Sequence, residues 1–356
     1  MAVRVVDYSP LTASVTPRDV AAWRAQAKAS GAQWASVNVS TVVTIVVGCV
    51  VALIFLNVVV GTVTTASLSN GAGAASTIVM VLIYAGIAAI VAVRLRARFV
   101  RGGRWTRWLR LSRFAQANGM TFSPAQGDPS YPGEIFQLGR DRSSLDHLTT
   151  ASGRFLDMGN FRWITGSGKS QTTHNWGFLA LRLDRNMPNM VLDSKANNTI
   201  FGSNLPATLD RDQILHLEGD FDRYFTLYCP AQYEQDALYI FTPDLMALLI
   251  DVAAPFDVEL IDEWMFVYSS RPFTMTDPTV LQRLFTIADT VGAKALDQTE
   301  HYADSRVGDF DANVIAPQGA RLKRGVSLAA IVVVVVFVVI WGWTFLGPII
   351  SSLGGG

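Results

Sequence analysis

Three uninterrupted apolar runs, at 39–61, 76–93 and 325–346, stand apart from a chain that otherwise alternates apolar and polar positions over short stretches. A hydrocarbon core takes roughly 20 apolar residues as helix, so these runs predict three transmembrane helices: a hairpin, then a single crossing. None holds an Asp, Glu, Lys, Arg or His. An ion or proton path normally places such groups within the membrane, which argues against a channel or carrier. Asn57, the one amide inside the runs, suits a helix–helix hydrogen bond.

Between the second and third runs the pattern changes to short alternating segments divided by Gly, Pro, Asn and Asp. Strands are predicted at 134–138, 154–156, 162–165, 176–183, 190–192, 214–217, 224–229, 237–241, 258–261 and 264–268. Many short strands with few helices between them imply a mainly antiparallel sheet. Two helices interrupt it. One starts at Thr242-Pro243-Asp244 and runs to about Val252; the other starts at Asp277-Pro278 and carries an apolar stripe to Gly292. Upstream, Thr16-Pro17 with Asp19 starts a short amphipathic helix in the tail. A basic helix is expected to end at Asn118-Gly119. The fold class expected is therefore α+β: three transmembrane helices plus a mainly antiparallel β domain with two or more packed helices.

Charge then orients the chain. Arg94, Arg96, Arg98, Arg101, Arg104, Arg107, Arg110 and Arg113 follow the second run with no acid among them, and Arg321, Lys323 and Arg324 precede the third. Basic residues beside membrane spans mark the cytoplasmic side. Both collars are thus expected at the inner face of the plasma membrane, against anionic lipid headgroups. The layout expected is a cytosolic tail (1–38), a transmembrane hairpin (39–93), a basic juxtamembrane helix (94–113) and a cytosolic α+β domain (114–292). A linker with the second collar (293–324), a third span (325–346) and a short outer tail (347–356) complete it. The N-terminus and 94–324 are then cytosolic and the C-terminus outside.

The formal net charge of zero hides a separation, because 114–320 holds 27 acids against 14 bases, a net of −13. Nucleic-acid binding rests on neutralising phosphates, so no nucleic-acid partner is expected. The chain has two cysteines, Cys49 and Cys229, which offers no disulfide framework. With four scattered histidines there is no zinc pattern either, and no cofactor or metal is expected.

The chemical motifs fall short on inspection. Gly166-Ser167-Gly168-Lys169-Ser170 ends like a phosphate loop, but Trp163 stands where the pattern needs Gly, so a hairpin turn is expected. Glu218, Asp220 and Asp222 alternate as cation ligands could, yet the calcium-loop spacing is absent; a solvated turn and a cation site remain alternatives. His147 beside Asp146, and His174, have no serine in a nucleophile elbow to serve. No catalytic residue is assigned.

The stretches 217–225, 237–246 and 264–268 together resemble a bacterial, actinobacterial-type family of membrane proteins, in which a domain of unknown function follows a helical hairpin. Phe114–Gly119 and Asn175–Phe178 fit the same family. The residues that carry the resemblance are Glu218, Phe221, Phe225, Thr242, Pro243 and Met246. The resemblance implies structural roles for them: Phe221 and Phe225 in the core, Thr242-Pro243 as a helix start. Genes of some members lie beside those of LemA-type membrane proteins, so the resemblance offers such a protein as a candidate partner. The expectation is a non-enzymatic binding, scaffold or sensor module at the inner leaflet, with a protein partner. The alternatives are a membrane-tethered enzyme acting on a lipid or small metabolite, and an accessory subunit of a larger membrane complex.

Overall fold

A computed structural model of the chain describes residues 5–32, 61, 103–198, 203–309, 312–325 and 335–338. Among these residues no helix is long and apolar enough to cross a membrane. That finding overturns the expected architecture of three transmembrane helices. The runs 39–61, 76–93 and 325–346, and the outer tail, fall almost wholly outside the described residues. Two compact units make up the chain: Met1–Leu11 with Leu111–Gly356, and Thr12–Arg110.

In the second unit, α1 (Pro17–Ala29) begins with a reciprocal cap. The Thr16 hydroxyl accepts from the Asp19 N–H at 3.2 Å, and the Asp19 carboxylate accepts from the Thr16 N–H at 3.0 Å. Trp23 packs edge-on to Trp105, 6.1 Å between centroids, and the Arg24 guanidinium sits over the Trp105 ring. Trp105 lies in the first turn of α2 (Arg104–Ala117), which is followed by Asn118 and the left-handed Gly119.

The first unit is built on one antiparallel sheet. Its strands are β1 (Met120–Gly127), β2 (Arg140–Thr150), β3 (Leu156–Thr165), β4 (Thr172–Ser194), β5 (Ile214–Leu215), β6 (Phe225–Tyr228) and β7 (Asp257–Ser269). They lie in the order β1-β2-β3-β4-β6-β5, with β7 on the free edge of β4. The 23-residue β4 is the spine: Leu156–Thr165 pairs with its first half, Phe225–Tyr228 with its end, and β7 with both. Helices α3 (Glu234–Ile240), α4 (Pro243–Leu248), α5 (Pro278–Ile287) and α6 (Ala293–Thr299) belong to the same unit; α4 and α5 each run on into a π-turn.

Alternation along the strands sorts side chains onto two buried faces. Leu179, Leu181, Met190, Leu192, Val258, Leu260, Met265 and Val267 face the main core, which Leu245, Leu281, Leu284, Phe285 and Leu296 of the helices fill. The opposite face carries Trp176, Phe178, Ala180, Ile261, Phe266 and Tyr268, covered by the 3-10 turn Glu134–Gln137 through Ile135 and Phe136. Phe136 lies 4.6–5.4 Å from the rings of Phe161, Phe178 and Phe266. Both sides of the sheet centre are therefore dry.

Several elements differ from the sequence reading. The segment 134–138 is that 3-10 turn, and 237–241 lies mostly within helix α3. The pairs 176–183 with 190–192, and 258–261 with 264–268, are single strands carrying bulges. Polar β1 and β2 were not expected as strands. The stretch 293–320, expected as a linker, starts as α6 and buries Tyr302, Asp304 and Ala316 against the domain.

Candidate functional site

A bulge shared by β4 and β7 sets up the site. Pro188 lies within β4, has no N–H to donate, and the pairing slips on either side of Met187. Opposite it, Asp262 takes φ +50°. A slip of this kind re-aims side chains and leaves backbone groups free. The Asn189 N–H is one of them, and it donates to the Gly319 carbonyl of a C-terminal strap, 316–325. The strap is fastened further by the Leu322 N–H to Asn189 Oδ1 and by Lys323 to the Gln213 amide.

Below the strap, Glu259 projects from β7 away from the main core, because its neighbours Val258 and Leu260 face that core. It is 2 % exposed. Its Oε2 accepts from the Glu134 N–H and the Tyr268 hydroxyl, each at 2.8 Å, and its Oε1 from the Asn189 amide at 2.9 Å. Burial pushes its carboxyl up to about 7 against the pull of these three donors, and the Glu134 carboxylate adds to the rise. Burial also holds the Tyr268 hydroxyl well above its ordinary value.

Glu259 and Tyr268 form the floor of a cavity of about 230 Å³. Ile135, Val191, Leu209, Ile261 and Leu322 make its walls, and two ion pairs stand at its rim. Arg324 meets the Glu134 carboxylate at 2.9 Å, and Arg321 meets Asp262 at 3.2 Å. Gly133 makes the close packing beneath the floor feasible: a Cβ there would fall 2.2 Å from the Tyr268 hydroxyl. Among the described residues the lining offers no Ser, Cys, His or Lys. Its chemistry is that of a hydrogen-bond acceptor set into an apolar wall.

The residues singled out in the sequence are dispersed. Arg94, Arg96, Arg98 and Arg101 lie outside the described residues. Arg104, Arg107, Arg110 and Arg113 are on α2, where Arg104 stacks over Trp105 and Trp108. Arg321 and Arg324 stand at the cavity rim, while Lys323 fastens the strap through its backbone. Phe221 and Phe225 stack at 5.2 Å in the core. Pro243 opens α4 after Thr242, whose hydroxyl makes no capping bond, and Met246 packs on the core edge. Glu218 and Asp220 are exposed, whereas Asp222 is taken up by His216 at 2.6 Å and the Leu217 N–H. His147 pairs with Asp157 at 3.2 Å, and Asp157 also accepts from Tyr131 and Thr149. His174 stacks on Trp163 and shares a hydrogen bond with Thr165. Neither histidine lines the cavity.

Comparison with known proteins adds little. No family model matches the chain, and no curated protein matches it. Among solved structures, the mycobacterial trehalose monomycolate transport factor A, TtfA, aligns over 51 % of this chain and 92 % of its own. The two are 10 % identical, with a TM-score of 0.35. At that level no property of TtfA is carried to this chain.

Proposed function

We propose that the domain is a non-catalytic binding module whose ligand seat is the Glu259 cavity. The observation that carries this reading is a buried, donor-held carboxylate on the floor of a largely apolar pocket. Ligand sites of this kind combine apolar walls with a few placed polar groups. Glu259 already accepts three hydrogen bonds, two on Oε2 and one on Oε1, and a carboxylate offers about four acceptor positions. Oε1 thus keeps room for one more donor. The ligand class is a short apolar body bearing one donor head, a hydroxyl or an ammonium. The volume sits below the roughly 300–1,000 Å³ of drug-sized sites, which favours a small molecule. Because the strap roofs the seat through exposed ion pairs, occupancy would be felt at the protein surface, as a sensor requires.

The test uses the full-length protein and straight-chain alcohols and amines of four to eight carbons, read by saturation-transfer magnetic resonance. Signal transfer from the chain to these probes is expected, and Ile135→Trp, which fills the seat, should remove it. Absence of transfer, or transfer that survives Ile135→Trp in a folded variant, overturns the reading.

A further inference from the structure

Beyond the cavity, at the far end of β4 and the start of β7, the same face of the sheet ends in a second polar cluster. Leu192 pairs with Val258, so the next rung sets Asp193 beside Asp257. Both are buried, at 3 % and 0 % exposure. Asp257 Oδ1 accepts from the Ser194 N–H at 2.9 Å and the Asn197 amide at 3.0 Å. Asp193 is bonded by the side chains of Ser203 and Asn198. The loop closes on itself through Asn204, which donates from Nδ2 to the Asn197 carbonyl and from its N–H to Asn198 Oδ1.

After these bonds are made, four buried side-chain oxygens remain with no donor: Asp193 Oδ1, Asp257 Oδ2, Asn197 Oδ1 and Asn204 Oδ1. Buried polar atoms are almost always satisfied, and here every orphan is an acceptor. An anion has nothing to bind. The nearest ammonium, on Lys195, donates to the Asp222 carbonyl. Among the described residues no group of three or more His, Cys, Asp or Glu could hold a metal ion, so a site here draws on amide oxygens as well as the two carboxylates. Two carboxylates with amide carbonyls on a loop are the donors of a hard cation.

We propose that Asp193, Asn197, Asn204 and Asp257 form an oxygen-only site for Ca²⁺. Calcium takes six to eight oxygens in irregular geometry, whereas Mg²⁺ demands near-octahedral ligands and keeps its waters. Four side-chain oxygens on a strand pair and a loop, completed by water and backbone carbonyls, suit the former. The cation would tie the loop after β4 to the start of β7, independently of any ligand in the cavity.

Full-length protein is stripped with EDTA, dialysed, and titrated with calcium chloride, reading bound metal by equilibrium dialysis and Tm by calorimetry. One Ca²⁺ per chain and a rise in Tm are expected. Asp257→Asn should weaken binding by about tenfold or more. Where Asp257→Asn does not fold, Asn204→Ala, a partly buried loop position, decides alone with the same expected loss. A chain that binds no Ca²⁺, as when the two aspartates share a proton or hold a water, overturns the proposal. So does binding that both folded variants leave unchanged.

Discussion

The Tyr233 hydroxyl donates to Asp304 Oδ2 at 2.6 Å, joining the start of α3 to a position 71 residues further on. Asp304 also accepts the Ala316 and Arg306 N–H groups, and Arg306 crosses back to Asp236 at 2.9 Å with its guanidinium over the Tyr233 ring. This network holds the chain on its way to the strap. Asp304→Asn should lower stability by about 2 kcal/mol, since hydrogen bonds to a charged group contribute about 1.5–3 kcal/mol. The shift in urea midpoint at pH 7 measures it.

The same residue sets an acid limit. Burial alone would raise the Asp304 carboxyl, but the Ala316 N–H, the Tyr233 hydroxyl and Arg306 outweigh it and hold it below 3.8. A depressed folded value means that its stabilisation is complete above the unfolded value and disappears as pH falls through the folded one. Urea midpoints should therefore drop more steeply below about pH 4 in the native chain than in Asp304→Asn.

Gly133→Ala should be strongly felt although the site is a loop. The new methyl would meet the Tyr268 hydroxyl and the Phe266 ring, at 2.2 and 2.9 Å. Overpacking of this kind costs about 1–3 kcal/mol. Tyr268→Phe in the same chain should recover part of the loss in thermal denaturation, because it removes the clashing oxygen.

Phe136 is the peg that seats the 3-10 turn on the aromatic face. Phe136→Ala should cost about 3–5 kcal/mol. Near-ultraviolet circular dichroism, which reads the packed rings of Phe161, Phe178 and Tyr268, should lose intensity before far-ultraviolet signal does.

Cys229 should be chemically silent. Burial pushes its thiol up to about 12, and the carboxylates of Glu234 and Asp236 push the same way. In a Cys49→Ser background, Ellman's reagent at pH 8 should react with less than a tenth of the protein in minutes, and with all of it in denaturant.

The strongly apolar parts of the sheet and the capped helices were legible in the chain because their cues are local. Thr16 with Asp19 is a cap, Asp277-Pro278 starts a helix, and the alternation of 264–268 is the end of β7. Where tertiary packing overrode local pattern, reading failed. The apolar run 237–241 reads as a strand, but Ala237 and Ile240 stand one turn apart on a helix face. Arg140–Thr150 is too polar to announce a strand, and its central position between β1 and β3 holds it. Pro188 suggests a break, yet a bulge lets β4 run through it. Arg321 and Arg324 read only as a basic collar, because their partners within the chain, Asp262 and Glu134, lie 59 and 190 positions away. Glu259 did carry a cue. A glutamate between Val258 and Leu260 must face away from the core, although only the turn folded over it shows that it is buried.

The length of β4 carries a kinetic implication. Residues 177–181 lie between β3 on one edge and β7 on the other, and all five are buried. Amide protons there have no local route to solvent and should exchange only when the whole sheet opens. Their exchange rates would then report the global unfolding free energy directly, making five consecutive backbone positions a built-in gauge of the molecule's stability.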